Sequence, residues 1–304
     1  MIKSAIKSVA ARSGLLQAVA RFRPGNAVIL MYHSVLEDPR AQESYLGEIS
    51  YSREIFRGQM ELLARRYHPV SLDDILRFVT EEAELPRRAV AVTFDDGYSD
   101  NYEVAAPILK HAGVPATIYA TVDCVERRRL PWPSHLRFMF GNTKKEKWTD
   151  ADGKSWPLSR YAEREAALVQ SCNECCKLVG PAQDEYVARL SGELNITVPV
   201  ESGTLMMDYA QMRSLIQQGH IIGSHTLDHP NMAYVEPETA RRELAESKRR
   251  LELELKTPIT HFAYPCPALS PHWTEQTLVA SREAGYATAV TTNPGSARAG
   301  DNPL

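Results

Sequence analysis

The stretch AVAVTFDDG, residues 89–97, decides the fold. Its first six residues form an apolar run with β-forming character, and the two aspartates and the glycine that follow are typical of a tight turn. We therefore predict a buried strand at 89–94 that ends in Asp95 and Asp96. Barrels of parallel strands place their reactive side chains at the carboxyl ends of the strands, so this turn is also the first candidate for a functional site.

Apolar β-type runs and helical stretches alternate on both sides of this strand. After the turn, a helix with Ile108 and Leu109 on one face ends at Gly113, a glycine helix cap. Parallel strands joined by crossover helices give this pattern, which therefore predicts an α/β fold. The expected architecture is a distorted (β/α) barrel of about seven parallel strands, fewer than the usual eight. The predicted strands are 27–32, 89–94, 114–121, 220–223, 261–264 and 286–291, and further helices are predicted at 53–67, after an N-cap at Ser71, at 209–218 and from Pro237.

The alternation fails between about residue 123 and residue 203. This segment holds three tryptophans, a polar stretch at 142–154 and a helical region at 159–194. A structureless loop of that length is improbable in a compact domain, so we predict an insertion with its own helices that covers one side of the barrel mouth. Residues 27–304 are accordingly predicted to form a single barrel domain that carries the insertion.

Residues 1–26 form a separate basic segment. No acidic residue precedes Glu37, and lysines and arginines alternate with apolar side chains at helical spacing, which predicts a basic amphipathic helix. Such a helix either caps the bottom of the barrel or lies on an anionic membrane surface as a peripheral contact. The apolar run at 27–32 is too short for a membrane span, and the sequence shows no signal peptide pattern.

Composition excludes one class of partner and indicates a compartment. The formal net charge of −3 gives no global electrostatic reason to bind nucleic acid. The five cysteines are an odd number and three of them cluster at 172–176, which is unlike a disulfide-stapled secreted domain. A cytoplasmic location is therefore predicted, with the thiols packed as small apolar groups.

Two motifs carry the candidate chemistry. Asp95 and Asp96 are adjacent carboxylates whose repulsion a divalent cation would relieve, although one of them could instead cap the following helix. His225 and His229 follow a short strand, and a His-x3-His spacing allows two imidazoles to bind one ion. Either histidine alone could be a hydrogen-bonded core residue. Together with a carboxylate, the pair would form a His2Asp metal site with positions open to water and substrate.

The order of the motifs resembles the polysaccharide deacetylase family, also called the NodB homology domain or carbohydrate esterase family 4. The motifs are TFDDG at 93–97, HTLDHP at 225–230 and FAYPCP at 262–267, each at the end of a predicted strand. The resemblance spans residues 27 to about 292 apart from the insertion. It implies a NodB-like barrel and an acetylated glycan as the substrate.

The resemblance also assigns roles to residues of this chain. The roles that it implies are general base for Asp95, metal ligand for Asp96, His225 and His229, and substrate or oxyanion contact for Tyr264, Pro265 and Cys266. The implied metal is Zn²⁺ in first place, with Co²⁺, Ni²⁺ or Fe²⁺ as alternatives. Tyr264, Trp132 and Trp273 are candidates for stacking on sugar rings, although such rings are more often core residues.

The sequence departs from the family where proton transfer is concerned. Ala263 stands where many members have an arginine that orients the base. No histidine follows His272, so the general-acid histidine of the family's last motif has no counterpart in this sequence. His33, at the end of the first predicted strand, is a candidate substitute that protonates the leaving amine, and the alternative is that His33 only hydrogen-bonds a neighbouring loop.

The predicted function is metal-dependent hydrolytic deacetylation of an N-acetylhexosamine-containing polysaccharide or oligosaccharide. Two alternatives stay open: a C–N hydrolase of a small cyclic or aryl amide, and a catalytically inactive glycan-binding relative. A long open groove would favour the oligosaccharide, whereas a closed pocket of a few hundred cubic ångströms would favour the small amide.

Overall fold

The computed structural model describes residues 26–38, 49–199 and 204–304. The amphipathic helix predicted at 1–26 therefore lies, apart from Asn26, outside the described residues. In the described part of the chain, no helix is both long and apolar enough to span a bilayer.

The described part of the chain contains all six predicted strands and six further short strands. In chain order the strands are β1 (Asn26–Tyr32), β2 (Ser34–Leu36), β3 (Ser50–Ser52), β4 (His68–Pro69), β5 (Ala89–Phe94), β6 (Ala116–Ala120), β7 (Lys147–Thr149), β8 (Ser155–Pro157), β9 (Ile221–Ser224), β10 (His261–Ala263), β11 (Thr288–Val290) and β12 (Ala297–Arg298). The helices are α1 (Arg53–Arg66), α2 (Leu72–Val79), α3 (Ala106–Ala112, preceded by a π-helical turn at Asn101–Ala105), α4 (Val122–Glu126), α5 (Trp132–Asn142), α6 (Tyr161–Cys175), α7 (Gly180–Leu194), α8 (Tyr209–Gln217), α9 (Pro237–Leu255) and α10 (Glu275–Glu283).

The main sheet has the strand order β11-β10-β9-β6-β5-β1-β12, and β4 pairs in addition with β5. All of its pairings are parallel except that of β12 with β1, so the sheet is a half-barrel of seven parallel strands with one antiparallel edge strand. The final residues lie across the open side between β1 and β11, where the Ala289 N–H donates to the Pro303 carbonyl at 2.7 Å. The predicted distorted barrel is confirmed.

The two faces of β5 contact different apolar clusters. Val90, Val92 and Phe94 point outward into the larger apolar core, against the helices. Ala89 and Ala91 point into the interior, where a smaller apolar cluster fills the half-barrel. The inner face of β5 thus carries smaller side chains than its outer face.

Caps and turns set the element ends that the sequence pattern leaves imprecise. Ser71 caps α2 as predicted, because its hydroxyl accepts a hydrogen bond from the Asp74 N–H while its own N–H donates to the Asp74 carboxylate. The strand predicted from Val114 begins two residues later because the Val114 N–H bonds back to the Leu109 carbonyl in the cap of α3. The strand predicted from Tyr286 shortens for the same reason, since the Tyr286 N–H donates to the carbonyl of Ser281 in the last turn of α10.

The insertion is helical and has its own apolar cluster. Helices α5, α6 and α7 pack around Trp148 of the β7–β8 hairpin, which the sequence pattern did not predict. Cys172, Cys175 and Cys176 are free thiols buried in this cluster. Their role in the fold is therefore packing.

Candidate metal and active site

The three predicted metal ligands come together at the carboxyl ends of the strands. One ligand atom each from Asp96, His225 and His229 lies within 4.8 Å of the others, and all three side chains are buried. The Asp96 Oδ1 atom lies 3.2 Å from His229 Nε2 and 3.7 Å from His225 Nε2. A carboxylate oxygen and two imidazole nitrogens are suitable ligands for Zn²⁺.

Unusual backbone conformations place these ligands. Asp96, Thr226 and His229 have φ angles of 73°, 68° and 59°, in the left-handed region that is costly for residues with a Cβ. Hydrogen bonds stabilise the strained turns, because the Thr121 N–H donates to the Asp96 carbonyl at 3.2 Å and the His229 N–H donates to Thr226 Oγ1 at 3.0 Å. Strain of this kind clusters at functional sites.

The orientation of the His225 ring is fixed by the backbone of β10. Its Nδ1 atom lies 2.8 Å from the Ala263 carbonyl oxygen, which can only accept a hydrogen bond. Nδ1 must therefore carry the proton, and the lone pair of Nε2 faces Asp96. Burial and then the neighbouring His229 lower the pKa of His225 to about 3, which keeps the ring neutral and ready to bind a cation.

A buried carboxylate holds the loop that carries both histidines. Glu243 of α9 is fully buried, and its Oε2 accepts hydrogen bonds from the Leu227 N–H at 2.9 Å and the Asp228 N–H at 3.1 Å. The sequence pattern did not predict this residue, because the charged residues next to it suggested a solvent-exposed helix face. Its position could have identified it, because Ala240, Ser247 and Leu251 lie at helical spacing from Glu243 on the buried face of the helix.

The insertion also contacts the loop that carries both histidines, on the side opposite Glu243. Trp132 Nε1 donates to the His229 carbonyl at 2.9 Å, and the Gly180 N–H donates to the Asp228 carboxylate at 3.0 Å. Arg129 forms ion pairs with Asp228 and with Asp184 of α7. Trp132 is buried and positions the loop, which agrees with the core alternative given beside stacking on a sugar ring.

The chemistry of the three ligands fits a divalent cation. Burial opposes the ionisation of Asp96, but His229 and the other imidazoles hold its pKa below the usual range, so the group is a carboxylate. Its Oδ1 atom is buried and accepts no hydrogen bond from any described residue. A buried carboxylate oxygen without a donor, facing two imidazoles, is an arrangement that a bound cation would satisfy.

The predicted general base lies beside this group in a cleft of about 220 Å³. Asp95 is buried at the end of β5, and its N–H donates to the Tyr32 carbonyl at 2.9 Å. Burial and the adjacent Asp96 charge raise the pKa of Asp95 well above the usual range. Its Oδ1 atom has no hydrogen-bond partner among the described residues.

His33 lines the same cleft, from the end of β1. Asn101 Nδ2 donates to the His33 carbonyl at 2.7 Å, and the buried Asp100 carboxylate accepts hydrogen bonds from Ser34 Oγ at 2.6 Å and the Val35 N–H at 2.9 Å. Asp100 and Asn101 thus fix the backbone on both sides of the imidazole. Burial lowers the pKa of His33, although the charge of Asp96 opposes this shift.

The third motif is divided between the cleft and the core. Cys266 lines the cleft, and its Sγ lies 2.9 Å from His272 Nε2 and 3.3 Å from Thr292 Oγ1. Pro265 is buried directly before it. Tyr264 points to the opposite side, where its hydroxyl lies 2.7 Å from Ser281 Oγ. The stacking role predicted for the Tyr264 ring is therefore wrong, since the ring is buried away from the cleft.

One wall of the cleft comes from the insertion, and no sequence motif predicted this contribution. Pro131, Pro133, Ser134 and Arg137 of the α5 region line the site. The Tyr98 hydroxyl lies 3.2 Å from Ser134 Oγ, which ties this wall to the turn after β5. Ser134 and Arg137 are three residues apart on one helix face, a spacing that carries no chemical signature by itself.

The chain was compared with known proteins. A sequence profile of the polysaccharide deacetylase family matches residues 82–147 and 191–289, more than half of the chain. The putative polysaccharide deacetylase YxkH of Bacillus subtilis (strain 168) is 25% identical over 276 residues, which cover 90% of this chain and 67% of that protein.

Solved structures show the same fold. The Streptococcus pyogenes deacetylase PplD in complex with acetate superposes with a TM-score of 0.58 at 20% identity and covers 90% of this chain and 87% of its own. IcaB from Ammonifex degensii gives a TM-score of 0.57 at 19% identity, with 92% and 90% covered. The predicted fold and hydrolase class are confirmed: the chain belongs to the polysaccharide deacetylase family, hydrolases that act on amide bonds of polysaccharides.

Proposed function

We propose that this chain is a metal-dependent deacetylase that hydrolyses N-acetyl groups of an N-acetylhexosamine-containing polysaccharide or oligosaccharide. The observation that carries the proposal is the convergence of Asp96, His225 and His229 beside Asp95 in one cleft. Zn²⁺ is the first choice for the cation, with Co²⁺, Ni²⁺ or Fe²⁺ as alternatives. When bound, the cation supplies Lewis acidity toward the acetamide carbonyl and acidifies water.

The residues of the chain would carry the proton and stabilise charge. Asp95 takes a proton from the water as a C–O bond forms at the acetamide carbon. The backbone N–H of Cys266 donates to the tetrahedral oxyanion, a role closed to Pro265 because proline has no N–H. The amine nitrogen takes a proton from protonated His33 as the C–N bond breaks, acetate leaves, and the proton that Asp95 took from water is passed through solvent to restore His33.

The shape of the site bears on the choice of substrate. A cleft of about 220 Å³ alone would suit a small cyclic or aryl amide, which is the second candidate function. A neighbouring cavity of about 650 Å³ shares Met31, Asp95 and Thr292 with the cleft and extends along the open side of the half-barrel. This additional length favours an oligosaccharide.

Acetate release tests the proposal directly. Acetylated glucosamine oligomers and small aryl amides would be incubated with the chain in the presence and absence of a chelator, and free acetate would be measured. We expect acetate from the oligomers only, and only with metal. Release from the aryl amides alone would favour the second candidate function, and metal binding without acetate release would indicate an inactive glycan-binding relative.

The role of His33 is tested by comparing His33→Ala with Asp95→Asn. Loss of a general acid or base typically lowers kcat by about 10²–10⁴-fold, and we expect both variants to fall in this range. Metal content should not change in either one. Undiminished turnover in the His33 variant would leave this histidine a loop contact.

We further propose that residues 1–26 form an appended basic segment of a cytoplasmic protein, which either caps the barrel or contacts a membrane surface. The support is the basic amphipathic pattern of the sequence. Co-sedimentation with anionic liposomes, with and without residues 1–23, separates the two. Binding that requires the segment would establish the membrane contact, and equal sedimentation would favour the cap.

A further inference from the structure

We infer that Tyr119 is the residue that positions Asp95, through one buried water that accepts a hydrogen bond from its phenol hydroxyl and donates one to the Asp95 carboxylate. The inference rests on the proposed function in so far as Asp95 is the base. It identifies a group that could replace the arginine whose place Ala263 takes.

The register of the sheet puts the two side chains next to each other. Thr93 pairs with Thr117 and Phe94 pairs with Ile118 in the parallel ladder between β5 and β6. The next step of this register brings Asp95 beside Tyr119. Alternate residues share a face, so both side chains point into the half-barrel.

The same register runs through β1 and places Asp95 between two partners. Met31 pairs with Thr93 and Tyr32 pairs with Phe94, so His33 comes next to Asp95 on the side away from Tyr119. His33 lines the cleft, whereas Tyr119 belongs to the apolar cluster of the interior together with Ala91 and Ala263. The base therefore has one neighbour that faces substrate and one that lies behind it.

Tyr119 and Asp95 each have a buried polar atom that makes no hydrogen bond to any described residue, and they make none directly to each other. The Tyr119 side chain is fully buried and its hydroxyl has no partner, and the same holds for Asp95 Oδ1. A buried hydroxyl left without a hydrogen bond is costly, and buried tyrosines almost always find a partner. A phenol is a donor and a carboxylate is an acceptor, so one water between them meets both needs. Burial and then the charge of Asp95 raise the pKa of Tyr119, which agrees with their proximity.

The Tyr119 ring is held in place by the neighbouring strand. A Cβ at Gly223 of β9 would lie 2.4 Å from Tyr119 Cδ1 and 2.9 Å from the His261 carbonyl oxygen, so the ring rests directly on the glycine backbone. Ala263 is small and leaves the interior beside the ring open. A donor fixed in this way can hold the carboxylate in one orientation while the other side of Asp95 stays free for water.

A double-mutant cycle tests the water-bridged contact without reference to activity. Tyr119→Phe keeps the ring on Gly223 and removes only the hydroxyl, and Asp95→Ala removes the acceptor. Unfolding would be measured by denaturant in the presence of chelator, so that bound metal does not enter. A hydrogen-bonded bridge to a charged group predicts that Tyr119→Phe raises the unfolding equilibrium constant about tenfold in the wild-type background and has little effect in the Asp95→Ala background.

Tyr286→Phe is the matched control. The Tyr286 hydroxyl is also buried and donates to the Leu244 carbonyl at 2.9 Å, away from the cleft. This variant should lower stability equally in both backgrounds. If Tyr119→Phe behaves in the same way, or stabilises the chain in both backgrounds, the water-bridged contact with Asp95 does not exist and the inference is overturned.

Kinetics add a second readout if the chain releases acetate. A positioning role predicts that Tyr119→Phe lowers kcat about tenfold with KM and metal content unchanged, whereas Tyr286→Phe keeps wild-type kcat. An unchanged kcat in Tyr119→Phe would contradict the role. If wild-type chain releases no acetate, the proposed function fails, and the cycle still decides whether the water-bridged contact exists.

Discussion

The proposed metal-binding half of the site, with Asp96, His225 and His229, and the proposed proton-handling half, with Asp95 and His33, differ in how firmly they are held. In the first half, His225 is oriented by the Ala263 carbonyl, and the loop to His229 is held by Glu243. In the second half, Asp95 Oδ1 has no partner among the described side chains, and His33 is fixed through its backbone.

The difference follows from what each half must do. A metal ligand has to keep one lone pair pointed at one place, so second contacts that lock the ring increase affinity. A group that takes up and gives away a proton changes its hydrogen-bond partners within each turnover. A base that is held by a single donor behind it keeps that freedom on the side where water and substrate arrive.

The largest effect is expected from breaking the metal half. Asp96→Ala removes the carboxylate that faces both imidazoles. A catalytic cation contributes several kcal/mol of transition-state stabilisation, so we expect acetate release to fall roughly a thousandfold. Metal content measured by elemental analysis should fall in parallel, while Asp95→Asn should lose activity and keep its metal. Full metal content in Asp96→Ala would place the ion elsewhere.

The next largest effect is expected from disturbing the contact between β9, which leads to His225, and the Tyr119 ring. Gly223 precedes His225 by two residues and supports the Tyr119 ring, where an added Cβ would be 2.4 Å from a ring carbon. Gly223→Ala should therefore destabilise the chain by about 3 kcal/mol, at the upper end of overpacking effects. Thermal or denaturant unfolding measures this change.

Gly58→Ala is the control for that substitution. Gly58 lies within α1, and a Cβ there would meet nothing within 4 Å. Because alanine is the better helix former, this variant should be stabilised by about 1 kcal/mol. Equal changes in the free energy of unfolding for Gly223→Ala and Gly58→Ala would show that the Tyr119 ring is not held against Gly223.

A smaller effect should come from loosening the support of the metal loop. Glu243→Gln keeps a carbonyl oxygen for the two loop N–H groups but weakens both hydrogen bonds, because a neutral acceptor replaces a charged one. We expect metal affinity to drop about tenfold, as for other groups that orient ligands, with kcat nearly unchanged at saturating metal. Calorimetric metal titration checks the affinity. An unaltered affinity would make Glu243 a purely structural residue.

The same variant reveals a pH dependence of stability. Burial and then the charge of Asp228 raise the pKa of Glu243 to about 7, with Arg242 opposing the shift. The folded chain therefore binds a proton at Glu243 more readily than the unfolded chain does, and stability falls as pH rises from about 4.5 to 7. The free energy of unfolding of the wild type relative to Glu243→Gln should increase when pH is lowered across that window. A difference that stays constant would contradict the raised pKa.

Sequence patterns predicted the strands and the candidate metal ligands better than the contacts that line and support the site. The TFDDG and HTLDHP motifs located the candidate metal ligands because strand ends in a parallel sheet meet at one edge, and that geometry depends only on strand order. The strand at 89–94 was predicted to the residue because it is apolar throughout and ends at a turn. Shorter strands shifted by one or two residues where helix caps use the first N–H groups.

The features of the site that the sequence did not predict depend on contacts between residues far apart in the chain. Glu243 lies 14 residues beyond His229 on a highly charged helix, and only the burial of its face shows that it turns inward. For Trp132 and Tyr264 the sequence left stacking on a sugar and a core position both open, and the hydrogen bonds of their polar atoms place them within the fold. Such assignments require knowledge of which surfaces pack together, and local patterns do not contain it.

Acetate release from an acetylated glucosamine oligomer, measured before chelation, after chelation and after Zn²⁺ is restored, tests the central claim most directly. The site described here predicts release by the wild-type chain, loss with chelator and recovery with Zn²⁺. Release that persists undiminished after complete removal of metal, or no release with any divalent metal, would contradict it.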